Sequence, residues 1–263
     1  MTRSSGQGGG SQTFGLGGRI RIAVRVTAIL GWLATCMVLF LLWHLARAHN
    51  PWPTRFFAGM IRIAGVRLHT LGSRPHCGAF LLANHVSWLD IPVLGAATGS
   101  AFVANDGLAA NPFARWICRL NDTVFIARHA RSGVIGQVED VRRALKETGA
   151  LTVFPEGTTG DGATLLPFKS SLLAALQPLP VGISVQPVAI DYGMDTRSIA
   201  WVGAEPALSN IARLLARRES LSARVQFLAP LSGARLADRK TMAIGAREAI
   251  VAALGGSCGS VSG

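Results

Sequence analysis

Leu81-Leu82-Ala83-Asn84-His85-Val86-Ser87-Trp88-Leu89-Asp90 runs from an apolar segment straight into a histidine and, five residues on, a carboxylate. The apolar run from Gly78 to Ala83 is short and bounded by turn-prone residues, which predicts a strand of a covered sheet. Asn84 and His85 emerge at its carboxyl end. Pro92 suits the first turn of a following helix, where proline is tolerated and sets φ in advance. His85 and Asp90 therefore face each other across a strand-to-helix corner. A carboxylate that accepts a hydrogen bond from one ring nitrogen fixes the tautomer and raises the basicity of the imidazole, so the other nitrogen can take a proton from a hydroxyl.

A second stretch lies about seventy residues further on: Leu151-Thr152-Val153-Phe154-Pro155-Glu156-Gly157-Thr158-Thr159-Gly160-Asp161-Gly162, followed by Leu166-Pro167-Phe168-Lys169. Its glycine-bearing loop follows a predicted strand and can present backbone N–H groups and hydroxyls to an anion or a developing oxyanion. Together, Asn84-His85-x4-Asp90 and Phe154-Pro155-Glu156-Gly157-Thr158 resemble the 1-acyl-glycerol-3-phosphate acyltransferase family of lysophospholipid acyltransferases. Val124-Phe125-Ile126-Ala127-Arg128 and Val185-Gln186-Pro187-Val188-Ala189-Ile190 are similar to two further blocks of that family, in the expected order between Gly78 and Tyr192.

The resemblance implies acyl transfer from a thioester, acyl-CoA or acyl carrier protein, to the free hydroxyl of a lysolipid. His85 is then the general base and Asp90 its orienting partner. No acyl-enzyme is required, and nothing around Ser87 resembles a nucleophile elbow. The resemblance also implies that Glu156, Gly157 and Thr158 shape the acceptor site and that Arg128 supplies a cation for the head group. Lys169 is a further cation candidate. Two departures bear on the acceptor: Ala127 stands where many members carry an acidic residue, and Thr159 where many carry an arginine. Lysophosphatidic acid comes first as the commoner acceptor of the family. The alternative is a lyso-ornithine lipid, because the Glu-Gly-Thr-Thr-Gly-Asp-Gly run with Leu-Pro-Phe-Lys behind it is similar to that bacterial branch. A thioesterase using the same pair on water is a second alternative.

Composition agrees with work at a membrane. Of 263 residues, 49% are hydrophobic and only 15% charged, while 26 Lys+Arg against 14 Asp+Glu give a net charge of +12. Such a chain is drawn to anionic surfaces, and acidic lipid is the expected partner. Nucleic acid is not, because the arginines are spread along the chain, aromatic residues make up 7%, and no stacking platform or binding motif occurs. Cys36, Cys77, Cys118 and Cys258 form no CxxC pair and are expected to be reduced. His44, His49, His69, His76 and His129 have no ligand spacing, so no metal or cofactor is expected.

Residues 1–20, rich in Gly, Ser, Thr and Gln at their start, are expected to be a disordered tail. Membrane-anchoring helices follow over 21–65. Ala28 to Ala46 holds no Lys, Arg, Asp or Glu, and about nineteen residues of helix reach ~28 Å against a ~30 Å bilayer core. A proline turn at Asn50-Pro51-Trp52-Pro53 leads to a second helix that Thr54 could cap, giving a hairpin that either spans or re-enters. Arg19, Arg21 and Arg25 on one flank and Arg47, Arg55 and Arg62 on the other leave the orientation open and suit side chains at phosphate level. The acyltransferase domain is expected over 66–254 as an α/β layered, partly parallel sheet with flanking helices, followed by a frayed tail over 255–263. Its strands are placed at Val66 to Leu71, Gly78 to Ala83, Ala101 to Ala104, Thr123 to Ile126, Ala150 to Phe154, Ile183 to Asp191, Ile199 to Val202 and Arg224 to Phe227. Helices are placed at Ser132 to Glu147 and at about Ala237 to Leu254, the latter packing through Ile244, Ile250, Val251 and Leu254. The localisation implied is the bacterial inner membrane, with the catalytic domain in the cytoplasm where the acyl donors are.

Overall fold

The computed structural model describes residues 14–45, 50–74, 78–105, 124–126, 145, 148–176, 178–179, 182–203 and 205–257. Among the described residues seven strands form one sheet: β1 (Val66–Leu71), β2 (Ala79–Ala83), β3 (Ala101–Asn105), β4 (Val124–Ile126), β5 (Ala150–Val153), β6 (Ser184–Asp191) and β7 (Leu221–Phe227), in the order β1-β7-β6-β2-β5-β3-β4. Five neighbours, from β6 through β4, run parallel. β7 lies antiparallel to β6, and β1 parallel to β7. The sheet is thus mixed and mostly parallel. Pro187 is accommodated in β6 because its pairing with β7 begins one residue later, at Val188 opposite Phe227.

Strand period sorts the core into two layers. Ala79, Leu81 and Ala83 of β2 face one side, with α2 (Trp52–Ile63), α3 (Asp90–Thr98) and Leu214 and Leu215 of a later helix. Phe80 and Leu82 face the other, where the last helix supplies Met242, Ala243 and Ala246. A strand buried on both faces reads as an uninterrupted apolar run, and Ala79 to Ala83 is wholly buried.

Several sequence expectations are corrected. The segment Ile199 to Val202 is not a strand: Thr196–Ile199 forms the short helix α4, and the extended residues behind it bond a loop rather than a sheet edge. The helix α1 (Leu16–His44) starts inside the expected tail, because Arg21 and Arg25 secure its first half to α5 (Ala207–Ala216). Those two arginines are held by the carbonyls of Leu215, Ala216 and Arg217 at the end of α5. Thr54 caps nothing. Proline is tolerated in a first helical turn, so α2 begins at Trp52, whose N–H bonds Asn50 Oδ1. The last helix, α6 (Arg239–Ser257), continues into the expected frayed tail, since elongating a packed helix costs little. It buries Met242, Ala246 and Ile250 at helical spacing and leaves Ile244 and Val251 exposed. The expected helix from Ser132 to Glu147 lies outside the described residues except at Leu145.

Candidate active site

Three parallel strands end at one edge of the sheet, and each delivers a residue of the site just past its last paired position. Crevices outside strand carboxyl ends are the usual place for ligands in sheets of this kind. β2 leads to Asn84 and His85, β5 to Phe154 and Glu156, and β6 to Tyr192. Asn84 keeps the corner in register. Buried, it donates from Nδ2 to the Ile190 carbonyl at 2.9 Å and accepts from the Ile190 N–H at 2.7 Å, continuing the ladder to β6 where β2 has run out.

Asp90, the first residue of α3, is completely buried. Its Oδ2 accepts from the N–H groups of Val86 (2.6 Å) and Ser87 (2.9 Å) and lies 2.8 Å from His85 Nδ1. Its Oδ1 accepts from Tyr192 Oη at 2.6 Å. Every partner of this carboxylate is a donor, and a helix N-terminus favours an anion. The network therefore assigns the ring proton to Nδ1 and leaves the lone pair on Nε2. Burial, and after it the Asp90 charge and the hydrogen bond, push the Tyr192 hydroxyl well above its ordinary ionisation range. It stays a donor.

The His85 ring is stacked on Phe154 with centroids 4.1 Å apart and planes 19° from parallel. Phe154 in turn stacks on Phe102 at 6.1 Å. Beneath the base lies Glu156, also buried. Its Oε1 accepts from the His85 backbone N–H at 2.7 Å, and its Oε2 accepts from the Leu166 N–H at 3.0 Å. Loss of solvent raises the Glu156 carboxyl above its usual value, while the two backbone bonds pull the other way. Gly157 and Thr158 are exposed on the turn that follows, and the Gly160 N–H returns to the His85 carbonyl at 2.8 Å. Lys169 closes the loop: its N–H bonds the Pro155 carbonyl at 2.8 Å, and its Nζ lies 3.3 Å from where a Cβ on Gly157 would stand.

His85, Asp90, Glu156, Gly157, Thr158 and Lys169 thus gather around one corner, and Arg128 lies outside the described residues. The resemblance gave Glu156 to the acceptor site, yet its side chain is turned inward and holds the backbone of the base. Sequence reasoning missed Tyr192 and Phe154. Tyr192 carried a signal, being the chain's single tyrosine immediately after a predicted strand. Two more distant supports carried none. The Trp201 N–H bonds the Val86 carbonyl at 3.0 Å while its own carbonyl accepts from the Thr159 hydroxyl. Arg247 of α6 donates to the carbonyls of Leu165 (2.7 Å) and Leu166 (3.2 Å).

A mixed, mostly parallel sheet with this corner at its carboxyl edge is the architecture of the glycerolipid acyltransferases. The solved 1-acyl-sn-glycerophosphate acyltransferase PlsC of Thermotoga maritima has the same fold, with a TM-score of 0.65 at 19% identity over 94% of this chain and 100% of that one. The Acyltransferase family profile matches residues 65–191. Lyso-ornithine lipid O-acyltransferase of Rhodobacter capsulatus is 34% identical over 259 residues, spanning 91% of this chain and 92% of its own length. The 1-acyl-sn-glycerol-3-phosphate acyltransferase of Neisseria meningitidis serogroup B is 33% identical over 172 residues, 62% of this chain and 64% of its own. The chain belongs to the lysophospholipid acyltransferase family, and the reaction it catalyses is O-acyl transfer to a lysolipid.

Proposed function

We propose that the chain moves a fatty acyl group from acyl-CoA or acyl carrier protein to the hydroxyl of lyso-ornithine lipid, working at the cytoplasmic leaflet of a bacterial inner membrane. The mechanism rests on the His85–Asp90 pair. Nε2 of His85 takes the proton of the acceptor hydroxyl as its oxygen attacks the thioester carbonyl. The C–O bond forms, the C–S bond breaks, and the imidazolium returns its proton to the departing thiolate. Asp90 stabilises that imidazolium, and the backbone N–H groups of Thr158 and Thr159, between the inward-bonded N–H groups of Gly157 and Gly160, face the developing oxyanion. Lys169 and Arg128 meet the head group. The reaction needs no metal or cofactor beyond the thioester.

The observation that carries the acceptor is Thr159. Where many relatives place an arginine, this chain has a hydroxyl turned inward to the Trp201 carbonyl, which suits an acceptor without a phosphomonoester. The relative from Rhodobacter capsulatus, which spans nearly the whole chain, is a lyso-ornithine lipid enzyme. Both facts reverse the order that the family's commonest acceptor sets. The test supplies a labelled acyl thioester to membranes holding the protein, with each lysolipid offered separately. Label should enter ornithine lipid, and His85→Ala should cut the rate by about 10²–10⁴-fold. Label in phosphatidic acid alone would overturn the acceptor, and free fatty acid with neither product would point to a thioesterase.

A further inference from the structure

The loop that supports the base continues past Thr159 into Gly160-Asp161-Gly162, and both glycines touch the catalytic corner. The Gly160 N–H bonds the carbonyl of His85. Gly162 adopts φ +72°, and a Cβ there would meet Thr196 Cγ2 at 2.1 Å and lie in ordinary contact with Val86 Cγ1 at 3.4 Å, so the chain is wedged against Thr196 beside the residue that follows the base. Asp161, between them, is exposed. Its Oδ1 accepts from the N–H groups of Ala163 (2.9 Å) and Thr164 (3.4 Å), which orients the carboxylate and leaves Oδ2 available to a ligand. Glu156, the other carboxylate of the loop, has both oxygens occupied inside. The loop therefore offers one outward anion, and at its other end one cation, Lys169 against Gly157.

We propose that Asp161 is a specificity residue that binds the side-chain ammonium of an amino-acid head group, while Lys169 meets that head group's carboxylate. The inference rests on the acceptor reading above. An amide-linked ornithine keeps one ammonium and one carboxylate, the two charges that this loop complements. A phosphate head group would instead meet Asp161 as a like charge, so one residue both attracts the first acceptor and repels the second.

The experiment compares wild type with Asp161→Asn, because asparagine keeps the oxygen that accepts from Ala163 and Thr164 and removes only the charge. Membranes holding the full chain are given a labelled acyl thioester and three acceptors in turn: lyso-ornithine lipid, the same lipid with its side-chain amine acetylated, and lysophosphatidic acid. Wild type should favour the free amine over the acetylated lipid by about tenfold in kcat/KM, the size expected of a hydrogen bond to a charged group. In Asp161→Asn that ratio should fall to near one, and transfer to lysophosphatidic acid should rise. A variant that keeps the wild-type ratio overturns the role of Asp161. If wild type acylates lysophosphatidic acid but not lyso-ornithine lipid, it is the acceptor reading that fails, and the role of Asp161 falls with it.

Discussion

Tyr192 and Glu156 are buried groups whose pKa values burial raises, and they act on the base by different routes, Tyr192 through Asp90 and Glu156 through the His85 backbone N–H. Removing the Tyr192 hydroxyl leaves a lone pair of the buried Asp90 unpaired. Tyr192→Phe should therefore lower stability by about 1–3 kcal/mol and reduce kcat without changing KM for the acceptor. Steady-state kinetics beside thermal unfolding in detergent separates the two effects. Glu156 must accept from two backbone N–H groups at once. Glutamine offers one acceptor and one NH2, so Glu156→Gln sets donor against donor beneath His85 and should slow turnover at least tenfold. Its pH signature has a definite sign. The folded-state pKa is raised above the ordinary 4.5, so the folded state binds the Glu156 proton more tightly than the unfolded state does. The associated stability is present below 4.5 and is lost as pH rises through the raised value. Tm measured from pH 4 upward should fall in wild type relative to Glu156→Gln across that window. Parallel curves would show that Glu156 titrates alike in both states.

At the scale of elements, the joint between α1 and α2 is closed by one tryptophan. Trp32 Nε1 donates to the Phe56 carbonyl, and its ring occupies the notch at Gly59, where a Cβ would come within 2.0 Å of Nε1. A rigid indole cannot yield as a flexible chain end would. Gly59→Ala should cost about 1–3 kcal/mol, and unfolding followed by intrinsic fluorescence would register it; an unchanged midpoint would mean that the two helices can part without loss. The sequence pattern located every strand that the structure describes, β2 and β5 as wholly buried apolar runs, although β7, expected from Arg224, begins at Leu221 and alternates buried and exposed residues. It misplaced one segment, Ile199 to Val202, where Ile199 and Ala200 are buried without sheet pairing and Asn210 and Arg213 of α5 bond the Ala200 carbonyl, while Val202 is exposed. The same limit applied in the site. His85, Asp90 and the Glu156 loop were legible because each pair is bonded across a short turn or named by a motif. Trp201 and Arg247 were not, since their bonds join positions that only the closed sheet brings together.

For the whole molecule, the arginines at the start of α1 tie that helix to the catalytic domain. Arg21 Nε bonds the Ala216 carbonyl, and Arg25 bonds those of Leu215 and Arg217, so the amino end of α1 is tied to the carboxyl end of α5 within the catalytic layer. Cations satisfy orphan carbonyls there and complement the helix dipole. Ile22 and Ile29 pack on the core as well, whereas Leu30, Val38, Leu41 and Leu42 are exposed. Beyond Ile29 the helix has about fifteen residues left, roughly 23 Å, short of a ~30 Å hydrocarbon core. α2, with 12 residues, reaches only ~18 Å and leads directly into β1. Both ends of the hairpin therefore sit at the catalytic domain, and its return limb cannot cross a bilayer, which fits entry into one leaflet. With epitope tags at the two chain ends, a protease added to sealed inverted vesicles should remove both tags. Protection of the amino-terminal tag alone would mean that α1 spans and has let go of α5, and Arg25→Ala, which weakens that tie, should then have no effect on stability.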